Sequence, residues 1–199
     1  MKLLRTKLGA SLRCRCERLE LRGLRWVFKF DAWHASAPYS CRLYKRQVVE
    51  LVNALAPQTA VEIGCGLGEI LSRVMASERF GFDQDGAVIR AARFLHRGKV
   101  HWVHADLAAV ALSLPAERRI DCLIMVNWIH NLSPEQLAAC LLPLVCRTSW
   151  LVLDAIDRDG PASYRFKHDF AFLAAVAERV SVTPVPGEPR SLMVFKVAR

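Results

Sequence analysis

The sequence predicts an α/β fold: a seven-stranded, mostly parallel sheet with helices on both faces. Three observations predict it. Short apolar runs alternate with helical patterns from residue 60 to residue 179, as β-α-β units require. The first strand, Ala60–Ile63, turns through Gly64, Gly66 and Gly68, which leaves bare backbone and unpaired N–H groups facing a ligand. The last two runs flank Pro186-Gly187-Glu188-Pro189, a turn cluster that fits an antiparallel hairpin.

The totals are those of a globular chain. Its 199 residues suit one core-forming domain, and no apolar run approaches the ~20 residues that span a bilayer. Arginines keep interrupting the opening MKLLRTKLGA segment, so no clean signal-peptide core forms. The net charge is +9, but residues 1–30 hold nine Lys/Arg against two Glu, and the remainder is nearly balanced. The basicity therefore belongs to an N-terminal arm. The seven cysteines, Cys14, Cys16, Cys41, Cys65, Cys122, Cys140 and Cys146, are odd in number and form no C-x-x-C. They read as reduced thiols of a cytoplasmic protein without a structural metal.

Three regions follow: residues 1–30, 31–57 and 58–199. In the first, Leu4, Leu8 and Leu12 recur every four residues among Arg and Lys, the pattern of a cationic amphipathic helix. Such an arm suits an anionic membrane surface, RNA or an acidic substrate, and equally a solvated helix packed on the core. A targeting segment has the same composition. In the second region Trp33, Tyr39 and Tyr44 belong to an aromatic stretch. It reads as a lid over the ligand and part of the acceptor site, or as packing on the sheet edge. Arg46–Leu55 follows as a helix with Val48, Val49, Leu51, Val52 and Leu55 on its buried side.

In the third region the order is strand 60–63, helix 69–76, strand 79–82, helix 86–96 and strand 100–104. Strand 120–126 is nearly all apolar, as a central parallel strand is. Ser133-Pro134-Glu135-Gln136 starts a helix, with Ser as N-cap and Pro in the first position. Strand 149–153 ends at Asp154. A helix is expected over 164–179, with Phe166, Phe170, Phe172, Leu173 and Val176 inside, then strands 180–185 and 191–197.

The glycine turn is not a dinucleotide fingerprint, because Glu69 stands where a third phosphate-binding glycine belongs. Glu62-Ile63-Gly64-Cys65-Gly66-Leu67-Gly68 instead resembles motif I of the class I S-adenosylmethionine (SAM)-dependent methyltransferases. Asp83 and Asp106 stand in order at the ends of the next two strands, and this adds to the likeness, which covers about residues 58–199. The resemblance implies that the last strand inserts antiparallel. It implies that Gly64, Cys65, Gly66 and Gly68 carry the methionine part and that Glu62 holds its ammonium. Asp83 would accept the ribose hydroxyls, with Gln84 or Trp102 beside the adenine. Asp106 and the Leu107 backbone would read the adenine edge, and the Asn127 backbone would meet the ammonium.

Asn127 is followed by Trp128, not by two prolines, so the resemblance disfavours the DNA-adenine and glutamine subclass. Trp128 to Leu132 looks like the post-strand segment of small-molecule methyltransferases. Methyl transfer from a sulfonium is an in-line displacement, and the protein aligns the acceptor and removes its proton. His130, His168 and Asp154 are the candidate bases, and Arg165 and Trp128 the candidate acceptor contacts beside Trp33, Tyr39 and Tyr44. The expected reaction is O-methylation of a small-molecule or saccharide hydroxyl. An RNA methyltransferase using the basic arm, and a non-catalytic interaction module, stay open beside it.

Overall fold

The computed structural model describes residues 2–36, 38–98, 100–115, 117–157, 160 and 164–198. Helices α1 (Lys2–Phe28), α2 (Ala32–Ser36) and α3 (Leu43–Ala54) precede the sheet. Then come β1 (Thr59–Ile63), β2 (Glu78–Asp83), α4 (Gly86–Leu95), β3 (Val100–His104), α5 (Leu107–Ser113) and β4 (Ile120–Met125). The chain ends with α6 (Pro134–Val145), β5 (Thr148–Ile156), β6 (Ala177–Pro184) and β7 (Arg190–Val197). The strands lie in the order β3-β2-β1-β4-β5-β7-β6, and β7 is antiparallel to both of its neighbours.

The period of two along each strand divides the core into two layers. Val61, Ile63, Leu123, Met125, Leu151 and Leu153 pack beneath α5 and α6 with Leu137, Leu141 and Leu144. Ala60, Cys122, Ile124 and Val152 face the other way, under Val48, Val49 and Val52 of α3 and Ile89 and Ala92 of α4. Glu62 shares that second face and is 3% exposed, so a carboxyl group lies inside an apolar layer. Asp85 caps α4 by accepting the Ala87 and Val88 N–H groups, and Ser133 with Gln136 closes a capping box on α6.

Three expectations are corrected. Residues 69–76 do not form an α-helix; they make only a 3-10 turn, Leu71–Arg73. The Leu71 N–H donates to Glu62 Oε2 at 3.1 Å, while the Leu67 carbonyl that an α-helix would offer it bonds the His96 ring at 3.0 Å. Both partners of that helical hydrogen bond are taken elsewhere. Nor do residues 164–179 form a helix. Residues 164–169 belong to no helix or strand, Phe170 is left-handed with φ +58°, Ala171–Leu173 is a 3-10 turn, and β6 has begun by Ala177. The Phe166 N–H donates to the His130 carbonyl and the His168 ring meets the Ile129 carbonyl, pinning the strip against residues 127–131. Tyr164, Phe166, His168 and Phe170 turn inward while Arg165, Lys167 and Asp169 stay exposed, a period of two rather than 3.6. Helix α5, for its part, is an element the sequence reading leaves out.

The third correction concerns the thiols. Cys14 and Cys41 form a disulfide across 27 residues of sequence. The reason is tertiary: α1 folds back along the Tyr39–Cys41 turn, where Glu17 also accepts the Ser40 N–H at 3.1 Å. Spacing along the chain carries no trace of that approach. The bond withdraws the ground on which a cytoplasmic setting is expected.

Candidate active site

A cavity of about 220 Å³ opens at the carboxyl ends of β1 and β4. Its floor is Glu62, Gly64, Cys65 and Gly66, its far wall is Val126, Asn127 and Trp128, and Tyr164 closes one side. The front of α3 adds Arg42, Tyr44 and Lys45, and α2 covers it with Trp33, His34 and Ser36. Open parallel sheets bind ligands at this edge because the strand ends leave backbone groups unpaired there.

The glycine turn is shaped by close approach. Gly64 has φ +70°, and a Cβ on it would stand 2.1 Å from Trp128 Nε1. That indole nitrogen donates to the Ile63 carbonyl at 2.6 Å, so the ring lies flat on the turn. At Gly66 an added Cβ would stand 3.4 Å from His34 Nδ1. The Gly66 N–H donates to Asp83 Oδ2 at 2.9 Å, and Asp83 Oδ1 accepts the Asp85 N–H at 2.9 Å. Trp102 fills the space beneath, against Gly68 and Gly81.

Glu62 is the electrostatic singularity of the floor. Burial pushes its pKa up to about 8, opposed by the Leu71 N–H and the Lys45 charge. Among the described residues its hydrogen-bond donor is the Leu71 N–H. A buried carboxyl raised in this way favours a cationic partner, which restores the carboxylate. In the free protein the sign is adverse. Between the ordinary carboxyl pKa of about 4.3 and 8, the folded state keeps a proton that the unfolded state has lost, so stability falls as pH rises through that window. Glu62→Gln removes the term. Urea unfolding at several pH values is expected to show the variant gaining on wild type between pH 5 and 8, by up to a few kcal/mol at ~1.4 kcal/mol per unit. A difference that does not change with pH would refute the buried-acid reading.

Behind the far wall lies a polar cluster that the sequence reading divides wrongly. Asp154 sits inside β5, fully buried, and pairs with Arg190, which is 3% exposed. Asp154 Oδ1 also accepts the Asn127 N–H at 2.9 Å. Arg190 Nη2 donates to Asn127 Oδ1 at 2.8 Å and to the Tyr164 hydroxyl at 3.1 Å, and its guanidinium lies 4.3 Å from the Tyr44 ring centre. Asp154 is thus the counter-ion of Arg190 and not a free base. Sequence reasoning missed Arg190. The one hint was a cation opening a strand whose middle is mostly apolar.

His130 is fully buried with Nε2 3.3 Å from Asp154 Oδ1, and His168 is buried against the Ile129 carbonyl, its pKa lowered chiefly by burial. Neither lines the cavity. Arg165 is exposed, and Tyr39 lies beside Arg73, its ring 4.0 Å from the guanidinium. Asp106 caps α5 by accepting the Ala109 N–H at 2.8 Å, Leu107 packs on the α5–α6 side of the core, and the Gln84 carbonyl meets the His104 ring. The cavity therefore brings together Trp33, Tyr44, Glu62, Gly64, Cys65, Gly66, Asn127 and Trp128, while Gly68, Asp83, Gln84, Asp106 and Leu107 lie off it. His34, inside the stretch expected as a lid, is part of its cover.

Among solved structures, this fold recurs in methyltransferases. N-methyltransferase NodS from Bradyrhizobium japonicum WM9, in complex with S-adenosylhomocysteine, superposes with a TM-score of 0.69 at 14% identity, covering 89% of this chain and 98% of that one. This is the class I methyltransferase fold. Magnesium protoporphyrin IX methyltransferase from Synechocystis PCC 6803 with bound SAM shares it at a TM-score of 0.61 and 15% identity, over 78% of this chain and 80% of that one. The mitomycin 7-O-methyltransferase MmcR shares it at 0.63 and 15% identity, over 83% and 56%. No family model matches the chain, and no curated protein matches it. In the methyltransferase fold seen here, the cavity sits at the end of β1 and the start of the chain folds over it.

Proposed function

We propose that this protein is a SAM-dependent methyltransferase that O-methylates a hydroxyl of a small molecule or saccharide. The observation that carries the proposal is Glu62, a buried acid of raised pKa under a glycine cradle, on the floor of a cavity in this fold. The group fits the residues present. A cationic amino acid moiety would relieve Glu62, and Gly64 and Gly66 put backbone without side chains on the cavity floor. Glu62, Gly64, Cys65, Gly66 and Asn127 would hold the methionine end, and Asp83, bonded to the Gly66 N–H, the ribose side. Gly68, Gln84, Asp106 and Leu107 would border the adenine. Bound there, SAM supplies an activated methyl group.

The chain's own part is to align the acceptor and take its proton. Trp33, Tyr44, Trp128 and Tyr164 offer flat walls, and Arg42 favours an acceptor bearing negative charge or several hydroxyls, while Lys45 is paired with Glu69. Of the cavity-lining groups, His34 has the properties of a base. Its pKa is lowered by burial against the pull of Asp83 and Asp85, so the ring is neutral at pH 7 and free to accept a proton. Tyr39 and Arg165 remain outer contacts for a larger acceptor.

The test is acceptor-dependent release of S-adenosylhomocysteine over a panel of sugars, phenols and RNAs. His34→Ala is expected to lower kcat by about 10²–10⁴-fold on the true acceptor with S-adenosylhomocysteine affinity changed far less. Turnover on RNA with a steep salt dependence would replace the small acceptor by RNA held on the basic arm. Calorimetry with SAM that gives no heat would leave a non-catalytic interaction module.

A further inference from the structure

Helix α1 packs on the protein along one face. Its inward face is Cys14, Glu17, Leu21, Leu24 and Phe28, a repeat of three and four residues along one seam. Every member is engaged: Cys14 in the disulfide, Glu17 on the Ser40 N–H, Leu21 and Leu24 in a core with Leu67 and Val88, and Phe28 against Phe94. Half a turn away, Leu12, Leu19 and Trp26 recur every seven residues and form a second apolar stripe. They are 58%, 66% and 75% exposed. Arg15 and Arg22 run along one edge of the stripe, and Lys29 stands 5.1 Å from the Trp26 ring centre. Of the two acids in α1, Glu17 is turned inward, so the outer face is positive.

We propose that this outer face of α1 docks the protein on an anionic phospholipid surface. Charge complementarity selects the occupant. Phosphates of RNA would match Arg15 and Arg22 but leave Leu12, Leu19 and Trp26 in water. A second copy of the helix would need apolar residues three or four positions after each stripe member; after Leu12 and Leu19 those positions are Arg15, Cys16, Arg22 and Gly23, and after Trp26 they are Lys29 and Phe30, the latter packed inward. An anionic bilayer takes both features: Leu and Trp enter the acyl boundary while arginines reach the headgroups. Among the described residues no helix is long and apolar enough to cross a membrane, so α1 lies in the plane.

The docked helix leads through Lys29–Asp31 into α2, whose Trp33, His34 and Ser36 cover the cavity. The acceptor is then an amphiphile presented by the same surface. That last step rests on the proposed reaction; the docking does not.

Flotation of the full chain is measured with vesicles of phosphatidylcholine alone and of phosphatidylcholine mixed with phosphatidylserine. Wild type is expected to float with the mixed vesicles and to be released by high salt. The triple variant Leu12→Ser, Leu19→Ser, Trp26→Ser changes exposed side chains only, so it keeps wild-type S-adenosylhomocysteine binding while losing about tenfold or more in vesicle affinity. Arg15→Glu with Arg22→Glu is expected to abolish the preference for the anionic vesicles. The proposal is overturned if the triple variant floats like wild type. It is equally overturned if sedimentation shows that the stripe holds a dimer and no vesicle binds, or if an RNA oligonucleotide binds through Arg15 and Arg22 and vesicles do not. Loss of S-adenosylhomocysteine binding in wild type would sink the reaction and leave the flotation result standing.

Discussion

Arg190→Met is expected to destabilise the protein by about 3–5 kcal/mol, because it strands Asp154 as a buried charge without its partner. Both side chains are almost wholly inside, so solvent does not screen the loss. The ion pair itself is not what would be lost, since two buried charges repay little beyond their own desolvation. A second variant separates these contributions. Arg190→Met combined with Asp154→Leu removes both charges, and it is expected to recover most of the stability, less the bond from the Asn127 N–H to Asp154. Urea unfolding of the four proteins in the cycle gives the coupling directly. If the single variant lies within about 1 kcal/mol of wild type, the cluster is not a buried-charge device.

The same substitution reaches the cavity. Asn127 holds φ +77°, a left-handed conformation that a non-glycine residue keeps only when its surroundings enforce it. Here the side-chain oxygen accepts from Arg190 and from Tyr164, and the backbone N–H donates to Asp154. Arg190 therefore positions a wall residue that it does not share with the cavity. Calorimetric affinity for S-adenosylhomocysteine is expected to fall about tenfold or more in Arg190→Met, roughly 1.4 kcal/mol. Retained affinity would free Asn127 from that role.

Where the sequence is read by periodicity and punctuation, it describes the molecule well. The β2–α4–β3 unit, the Pro186-Gly187-Glu188-Pro189 hairpin and the Ser133 capping box are local facts, and the fold realises them. It fails where one side chain answers to a distant one. Residues 69–76 carry helical hydrophobics, but Glu62 and His96 take the hydrogen bond that would start the helix. The strip 164–170 has alternate residues facing in because its hydrogen bonds go to the carbonyls of Ile129 and His130, and no short window of the sequence contains both segments. Cys14 with Cys41, and Arg190 with Asp154, are contacts across 27 and 36 residues. The acids divided in the same way. Glu62 reaches the cavity because β1 delivers it to the floor, whereas Asp106, one residue before a helix, serves as its cap.

Gly64→Ala tests the cradle itself. Two penalties fall on one methyl group. The φ of +70° strains any residue with a Cβ, and the Cβ would lie 2.1 Å from Trp128 Nε1, well inside contact distance. The indole has to lift from the turn, and its hydrogen bond to the Ile63 carbonyl breaks as it does. Together these cost roughly 2–4 kcal/mol of stability. Trp128→Ala separates them. In the double variant the clash is gone and only the backbone strain remains, so Gly64→Ala is expected to cost about 1–2 kcal/mol less on the Trp128→Ala background than on wild type. Equal costs on the two backgrounds would mean that the ring does not rest on the turn, and the cavity's far wall would then have to be drawn elsewhere. Ligand affinity is a separate readout. The double variant lacks the Trp128 wall of the cavity, so S-adenosylhomocysteine binding is expected to remain weak in it even as stability recovers.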